Sequence, residues 1–422
     1  MPLPLTPMFS TAGSVPPGSE PPAPASTQLA PIPPLSSTLP PSLPPSPSPS
    51  PSPSPSPSPP PTASLQPSIP PRVRVWRRFK QQRLGYWSLI IFLTIFVVSL
   101  FSEVLANDKP LIVRYHGHYF FPIVKRYSEL DFGGDFPARA NYLDPYIRGK
   151  ITHDGNFAIY PPNHFHYDTV DYFATHPYPA PPSSVNLLGT DNLGRDVVSR
   201  LLYGFRVDVL MAFALTITGT VFGVFAGAIQ GFYGGKIDLI GQRLIEIWGS
   251  MPDLYLLIIF ASIFEPSLLL LFVLLSLFGW LTLSDYVRAE FLRNRSLDYV
   301  RAARTMGLSN GQIIWRHVLP NSLTPVITFL PFRMSAAILS LTSLDFLGLG
   351  VPPPAPSLGE LLLEGKNNLD AWWMSVSAFG ALVTTLLLLT FMGDALRNAL
   401  DPRAGSGVQG ADKGSAFGGA AR

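Results

Sequence analysis

Six long apolar runs dominate the sequence and restrict the chain to a membrane protein. An α-helix rises 1.5 Å per residue, so about 20 apolar residues cross the hydrocarbon core of a bilayer. A soluble fold would have to bury several helices on every side, which is unfavourable for a chain of this size. We therefore predict an all-α integral membrane protein with about six transmembrane helices. The runs are Gly85–Leu105, Val207–Gly231, Leu239–Phe264, Leu268–Val287, Leu323–Leu347 and Met374–Met392.

The chain before the first run cannot form a packed core. Residues 1–71 hold 27 of the 47 prolines and a single charged residue, Glu20. Such a composition favours extended polyproline conformations, so we predict a disordered Pro/Ser-rich tail. A mis-assigned start codon would also produce such a tail. The alternative function is that of a ligand for a proline-recognition module.

Basic residues are concentrated on one side of the predicted spans. Six of them lie in residues 72–83, directly before the first run, whereas the loop 348–372 holds only Lys366. Because the cytoplasmic loops of membrane proteins carry the excess of lysine and arginine, we predict that both termini are cytoplasmic. For the first run, a signal peptide cleaved near Ala106 is the alternative.

These patterns divide the chain into five parts. After the tail 1–71 come a basic flank and first transmembrane helix (72–105) and a long extracytoplasmic insertion (106–206) in which we expect short strands, turns and loops. A five-helix core (207–403) and a flexible C-terminal tail (404–422) follow.

A polar, basic segment at residues 296–321 interrupts the core. We predict two short helices there, with Ser296 capping the first and Gly307 ending it in a left-handed conformation. The pair Ser309 and Gln312 has the spacing of a capping box for the second helix, and Pro320 is expected to stop that helix. An apolar stripe is predicted on the first helix, at Tyr299, Ala302, Ala303 and Met306.

The sequence contains no motif for catalysis or for nucleotide binding. The patterns GxxxxGK[ST], HExxH and GxSxG are all missing, which argues against an enzyme and against ATP binding by a P-loop. There is no cysteine, so disulfides and thiolate metal sites are excluded. The pairs His116-x-His118 and His164-x-His166 lack further ligands at diagnostic spacing, so we predict no metal site and treat them as surface histidines.

The segment 296–321 resembles the cytoplasmic "EAA" loop of permease subunits of bacterial ATP-binding-cassette (ABC) importers. In that family the loop is a coupling helix that docks on the ATPase subunit. The acidic position of the motif is occupied here by Arg301. The resemblance implies a coupling site formed by Asp298, Tyr299, Arg301, Ala302, Ala303, Gly307, Leu319, Pro320 and Asn321.

A second stretch, LLGTDNLGRDVVSRLLYGFRV at residues 187–207, resembles an element of the dipeptide and oligopeptide branch of these permeases. Its role is either functional, as a contact with the binding protein or a lid at the outer mouth, or structural, as a turn in which Asp191 or Asp196 pairs with Arg195 or Arg200. The long insertion and the stretch IEIWGSMPDLYLLIIF resemble the Yej type, which is associated with import of peptides and microcin C. The site residues are Gly189, Thr190, Asp191, Gly194, Arg195, Asp196, Ser199 and Arg200.

The resemblance implies a type I ABC importer transmembrane domain in the bacterial inner membrane that works by alternating access. Its expected partners are a second homologous permease, two ATPase subunits, a periplasmic binding protein, membrane lipid and a peptide-like substrate, with no nucleic acid. No cofactor is expected on this chain, since ATP and Mg²⁺ are used by the partner subunits. The alternatives are a permease for another small solute such as a nickel chelate, or a secondary transporter.

Arg333 is the one arginine predicted near the middle of a span. A charge at that depth is costly, so it should face a polar pathway or an acidic partner. We predict that it lines the pathway and meets a substrate carboxylate. Pairing with Glu246 or Asp345 is the alternative, although Glu246 also lies one helical turn from Arg243.

Overall fold

The computed structural model describes residues 71–401, apart from positions 154, 173, 175 and 266. The predicted tails, up to residue 70 and over 404–422, lie outside the described residues. The helices are α1 (Pro71–Gln81), α2 (Arg83–Leu100), α3 (Ser102–Leu105), α4 (Pro145–Thr152), α5 (Val197–Tyr233), α6 (Gly235–Gly249), α7 (Asp253–Ile263), α8 (Leu268–Phe278), α9 (Leu281–Asn294), α10 (Asp298–Thr305), α11 (Asn310–Ile313), α12 (Leu319–Phe346), α13 (Leu358–Asn367) and α14 (Trp372–Leu400).

Five helical stretches of the described chain are long and apolar enough to cross a membrane. The all-α membrane architecture predicted from the apolar runs is confirmed. The second run is longer than predicted, since α5 begins at Val197 and spans 37 residues. The stretches are 83–100, 197–233, 268–294, 310–346 and 372–400.

The predicted continuous span Leu239–Phe264 is wrong. The helix ends at Gly249, and a new helix, α7, begins at Asp253 after Pro252. Proline lacks a backbone N–H and disfavours helix in the residue before it, so the break falls there. Because α7 has only 11 residues, it is about 16 Å long and does not cross the hydrocarbon on its own.

Helix α5 packs against α9 through glycines spaced four residues apart. A Cβ added to Gly223 would lie 2.9 Å from the carbonyl oxygen of Trp280, and one on Gly231 would lie 2.5 Å from that of Arg288. Between them, a Cβ on Gly227 would overlap the carbonyl oxygen of Ser284. The two backbones therefore approach as closely as small residues allow in membrane helix pairs.

The apolar core has two main parts along α5 and α12. One part gathers residues of α5, α8, α12 and α14, including Val209, Ile338 and Leu389. The other lies at the opposite ends of α5 and α12 and includes Phe291 and Val300, so it also holds the 296–321 segment.

The 106–206 region contains the only strands of the described chain. Strands β1 (Ile112–Tyr115), β2 (His118–Phe120) and β3 (Phe157–Ile159) form an antiparallel sheet in the order β2-β1-β3. Phe132 is fully buried beneath this sheet and stacks edge-on with aromatic neighbours. The insertion thus has a small aromatic core of its own.

Candidate functional site

The 296–321 segment begins without the predicted cap. The N-terminal cap position of α10 is Leu297, and no side chain caps it. The Ser296 hydroxyl instead donates to the Arg293 carbonyl oxygen at 2.9 Å. Since α9 ends at Asn294, two residues before this serine, its last turn offers a free carbonyl to the hydroxyl. The prediction for Ser296 is therefore wrong.

The break inside the segment is as predicted. Gly307 has φ of +82°, a left-handed conformation that favours glycine. The backbone N–H of Ser309 donates to Gln312 Oε1 at 3.0 Å, and the Gln312 N–H donates to Ser309 Oγ at 3.4 Å. The capping box is therefore confirmed.

The predicted stop at Pro320 is wrong. After α11, residues Ile314–Val318 form a π-helical turn, and the N–H of Leu319 donates to the carbonyl of Ile314. Pro320 lies in the first turn of α12. Proline is tolerated in the first turn of an α-helix, and the π-helical turn before it already departs from the regular α-helical hydrogen-bond pattern. The chain continues as helix from the segment into the membrane span.

The buried face of α10 differs from the predicted stripe. Val300 and Ala303 are buried in the second part of the apolar core, the part that includes Phe291, and Tyr299 packs against it. Ala302 and Met306, which we expected on the same stripe, are exposed, with Met306 71% exposed. The face turned away from the core carries the small side chain of Ala302.

The remaining predicted coupling residues lie at both ends of the segment. Asp298 is almost fully exposed and lies 3.7 Å from Arg301. Leu319 is buried, whereas Pro320 and Asn321 are exposed. The Asn321 amide donates to the carbonyl of His317 at 2.9 Å. Asp298, Pro320 and Asn321 are thus exposed at the two ends of the segment.

One cationic side chain of the segment, Arg304, and two in or just after the preceding helix α9 contact the ends of α5 and α6. The Arg304 guanidinium lies over the Phe232 ring at 5.5 Å, and Arg295 donates to the Phe232 carbonyl at 3.4 Å. Arg288 donates to Asp238 at 2.8 Å, and this hydrogen bond lowers the pKa of the Asp238 carboxyl. The segment is therefore held at its base by contacts that leave its outer face free.

At the other end of the molecule, the 187–200 element forms a buried ion network. The Asp191 carboxylate accepts 2.6 Å bonds from Arg195 Nε and from Arg200 Nη1, and all three residues are buried. Asp196 pairs with neither arginine; it caps α5 by accepting from the Ser199 N–H at 2.8 Å. Of the two aspartates, it is thus Asp191 that pairs with both arginines.

The other residues of the element support its turn. Gly189 and Gly194 have positive φ values, of 74° and 82°. The Thr190 hydroxyl accepts from the Ala180 N–H at 2.8 Å, and the Thr190 carbonyl accepts from the Trp373 indole at 3.1 Å. These contacts join the element to the preceding loop and to the start of α14.

Two acidic residues complete the network. Arg200 donates to Glu360 at 2.6 Å and to Glu364 at 2.7 Å, both on α13. Burial raises the pKa of the Glu364 carboxyl, and the charge of Arg200 opposes the rise. Sequence reasoning missed this pair. The available signal was two acids one helical turn apart, directly after Ser357, whose hydroxyl caps α13.

Arg333 lies on the wall of a cavity of about 410 Å³ between α5, α7, α8, α9 and α12. Its Nη2 donates to the carbonyl of Gly279 at 2.6 Å, and its Nε is buried without a hydrogen-bond partner. A Cβ on Gly219 would lie 2.6 Å from Nη2, so this glycine leaves room for the guanidinium. The same wall holds the exposed carboxylate of Asp253.

Neither alternative partner of Arg333 reaches it. Glu246 pairs with Arg243, and Asp345 accepts from the Ser357 hydroxyl and from the Val351 N–H. Over residues 71–401, leaving aside the four undescribed positions, no ion pair forms at Arg333. Its charge is therefore balanced only by a backbone carbonyl.

The histidine pairs lie in the insertion. His116 follows β1 and His118 begins β2, whereas His166 contacts Asp168. Within the described part of the chain, no group of three or more histidine and acidic side chains could hold a metal ion. The hydrogen bond from His166 lowers the pKa of Asp168.

Two family models match the sequence. "Binding-protein-dependent transport system inner membrane component" matches residues 219–406, and "N-terminal TM domain of oligopeptide transport permease C" matches residues 71–117. The inner membrane ABC transporter permease protein YejE of Escherichia coli (strain K12) is 50% identical over 327 residues, which are 78% of this chain and 96% of that protein. The chain belongs to the ABC transporter permease family.

Other ABC transporter permeases are also similar. The peptidoglycan transport system permease protein YejE of Agrobacterium fabrum is 45% identical over 79% of this chain and 93% of that protein. The dipeptide transport system permease protein DppC of Haemophilus influenzae is 38% identical over 51% of this chain and 74% of that protein. The resemblance to the dipeptide and oligopeptide branch, and to its Yej type, is confirmed. The chain is thus a multi-pass permease of an inner membrane.

Proposed function

We propose that this permease forms the pathway by which peptides or peptide-like compounds, such as microcin C, cross the inner membrane. The observation that carries the proposal is the intramembrane cavity with Arg333 and Asp253 on its wall. A peptide is a zwitterion, and a wall with one cationic and one anionic group complements both of its ends. The names of the relatives, which mention peptidoglycan and dipeptide transport, support the same substrate class.

Energy for the transport would come from other subunits. The outer face of the 296–321 segment, with Ala302 and Met306, is exposed, and its base is fixed to the core. We place this face in the cytoplasm, where two ATPase subunits that use ATP and Mg²⁺ would dock on it and on its counterpart in a second homologous permease. A periplasmic binding protein would deliver the substrate to the opposite end.

The 187–200 element would stabilise the end of the permease to which the binding protein delivers the substrate. Its arginines face Glu360 and Glu364, so their guanidinium groups are occupied within the chain. We therefore assign it a structural role, which is to hold α5 and α13 together. Any contact to a binding protein would be made by neighbouring loops.

Replacing Arg333 with glutamine tests the pathway. We expect peptide uptake to fall at least about tenfold, because a charge pair with the substrate carboxylate is lost at low dielectric. Assembly with the partner subunits should be unchanged. Uptake of a labelled peptide by cells and co-purification of the complex are the measurements. Arg243→Gln, at an exposed pair with Glu246, is the matched control. Loss of assembly in Arg333→Gln would contradict the pathway role.

Replacing Ala302 with tryptophan tests the docking face. Because Ala302 is exposed on a regular helix, the large ring should leave the permease folded and block close approach of a partner. We expect co-purification of the ATPase and uptake to fall at least about tenfold, since a misfitted residue at an interface centre costs about 2 kcal/mol or more. The control is Ala138→Trp, at an exposed alanine of the insertion. Unchanged ATPase binding by Ala302→Trp would disprove docking at this face.

A further inference from the structure

An apolar groove of about 850 Å³ lies beside α1, at the end of the molecule where α12 begins and α14 ends. Its walls come from α1, α2, α12 and α14, and Thr324 is the one polar side chain among the lining residues. The groove runs from the first turn of α12, at Pro320, to Pro331. Apolar walls that open between transmembrane helices have the chemistry of a site for an acyl chain.

Helix α1 gives the groove a cationic rim. Every charged residue from Val73 to Arg83 is basic. Arg74, Arg77 and Lys80 are exposed, and none of them pairs with an acid over the described residues 71–401 and their four gaps. The opposite face of α1 carries Phe79, which is buried against α14. A helix with one apolar face and one basic face lies in the membrane interface.

Trp76 joins the rim to the groove. Its ring lines the groove and is half exposed, and the ammonium group of Lys80 lies 5.4 Å from the ring centroid. The same ammonium lies 5.9 Å from the ring of Tyr86. Tryptophan and tyrosine prefer the headgroup level of a bilayer. These basic side chains therefore lie at the level of the lipid headgroups, next to the apolar groove.

We propose that α1 and this groove bind an anionic phospholipid. One acyl chain occupies the groove beside Ile327 and Met392, and the phosphate contacts Arg77 and Lys80 next to Trp76. The occupant is a lipid rather than a polypeptide because the rim is uniformly cationic and the groove walls offer almost no hydrogen-bonding groups. The site shares no lining residue with the substrate cavity, and it meets the 296–321 segment only at Pro320.

Native mass spectrometry of the full-length permease complex, purified in mild detergent and titrated with phosphatidylglycerol or phosphatidylcholine, tests the proposal. Each basic residue near an anionic headgroup strengthens binding several-fold, so Arg77→Gln with Lys80→Gln should weaken retention of phosphatidylglycerol about tenfold or more. Retention of phosphatidylcholine should be weak and unchanged. The matched control is Arg243→Gln with Arg293→Gln, which removes two exposed arginines elsewhere.

A second variant addresses the groove itself. Ile327, 44% exposed, lines the groove, so Ile327→Trp should displace the acyl chain and reduce phosphatidylglycerol retention while all the charges remain. Equal retention of the two lipids, or retention that neither variant changes, would overturn the proposal. Cross-linking of an Ile327→Cys variant to another protein chain in native membranes would overturn it as well, because the groove would then hold a polypeptide.

Discussion

Replacing Asp191 with asparagine is expected to lower the free energy of unfolding by about 3–5 kcal/mol, because two buried arginines lose the most deeply buried of the acids that they share. The carboxylate accepts hydrogen bonds from the N–H groups of Leu193 and Arg195 and from both guanidinium groups. An amide can replace only part of this set, and it turns a donor towards the arginines. The measurement is the loss of folded permease during SDS titration of the purified protein.

Glu364→Gln is the matched control within the same network. It also removes one carboxylate charge, but Glu364 Oε2 has no hydrogen-bond partner and burial raises the pKa of this carboxyl. A raised pKa in the folded state means that the protonated acid is favoured, so its stabilising effect is present at low pH and is lost as the pH rises through the folded pKa. We expect Glu364→Gln to cost much less than Asp191→Asn and to flatten this pH dependence. Equal losses in the two variants would refute the assignment of Asp191 as the central acid.

Replacing Gly227 with leucine is expected to prevent α5 from packing on α9. A Cβ there would overlap the carbonyl oxygen of Ser284 and lie 2.9 Å from the backbone N of Arg288. Backbone atoms cannot turn away as a side chain can, so the helices must separate. Overpacking costs about 3 kcal/mol or more when the neighbours are this rigid. We expect little folded permease in membranes and no uptake, measured by immunoblot of membrane fractions and by peptide uptake.

The matched control is Gly380→Leu on α14. A Cβ at Gly380 meets no atom within 4 Å, so the same substitution adds bulk without a clash. Normal folding of Gly380→Leu together with loss of folded permease in Gly227→Leu would show that folding depends on the contact between α5 and α9 and not on the number of glycines. Normal uptake by Gly227→Leu would contradict the close packing of α5 on α9.

Local signals in the sequence predicted much of the fold. Runs of about 20 apolar residues are long enough to be recognised without any tertiary information. The capping box at Ser309 and the left-handed Gly307 are likewise set by residues within one turn. These features depend on the backbone hydrogen bonds and the backbone conformation at the end of a single helix, which residues nearby in the sequence determine.

Features that depend on distant partners could not be predicted. Nothing near Arg200 in the sequence indicates Glu360, which is 160 residues away. The exposed position of Met306 depends on which face of α10 meets the core, and periodicity alone could not decide between neighbouring faces. Pro320 was expected to stop a helix, but the helix continues through it. The π-helical turn before Pro320 depends on how α11 and α12 are joined, which the local sequence does not indicate. In each case tertiary packing overrides a local preference.

The continuous helix from Asn310 to Phe346 has a mechanical consequence. Its 37 residues span about 55 Å. The helix begins inside the 296–321 segment, includes Arg333 and ends just after Asp345. The Asp345 carboxylate accepts a hydrogen bond from the hydroxyl of Ser357, which lies at the start of α13. A tilt imposed on the first turn of the helix by a docked protein would therefore reach the cavity wall and the contact with α13, and the helix can bend at Pro325 and Pro331 on the way.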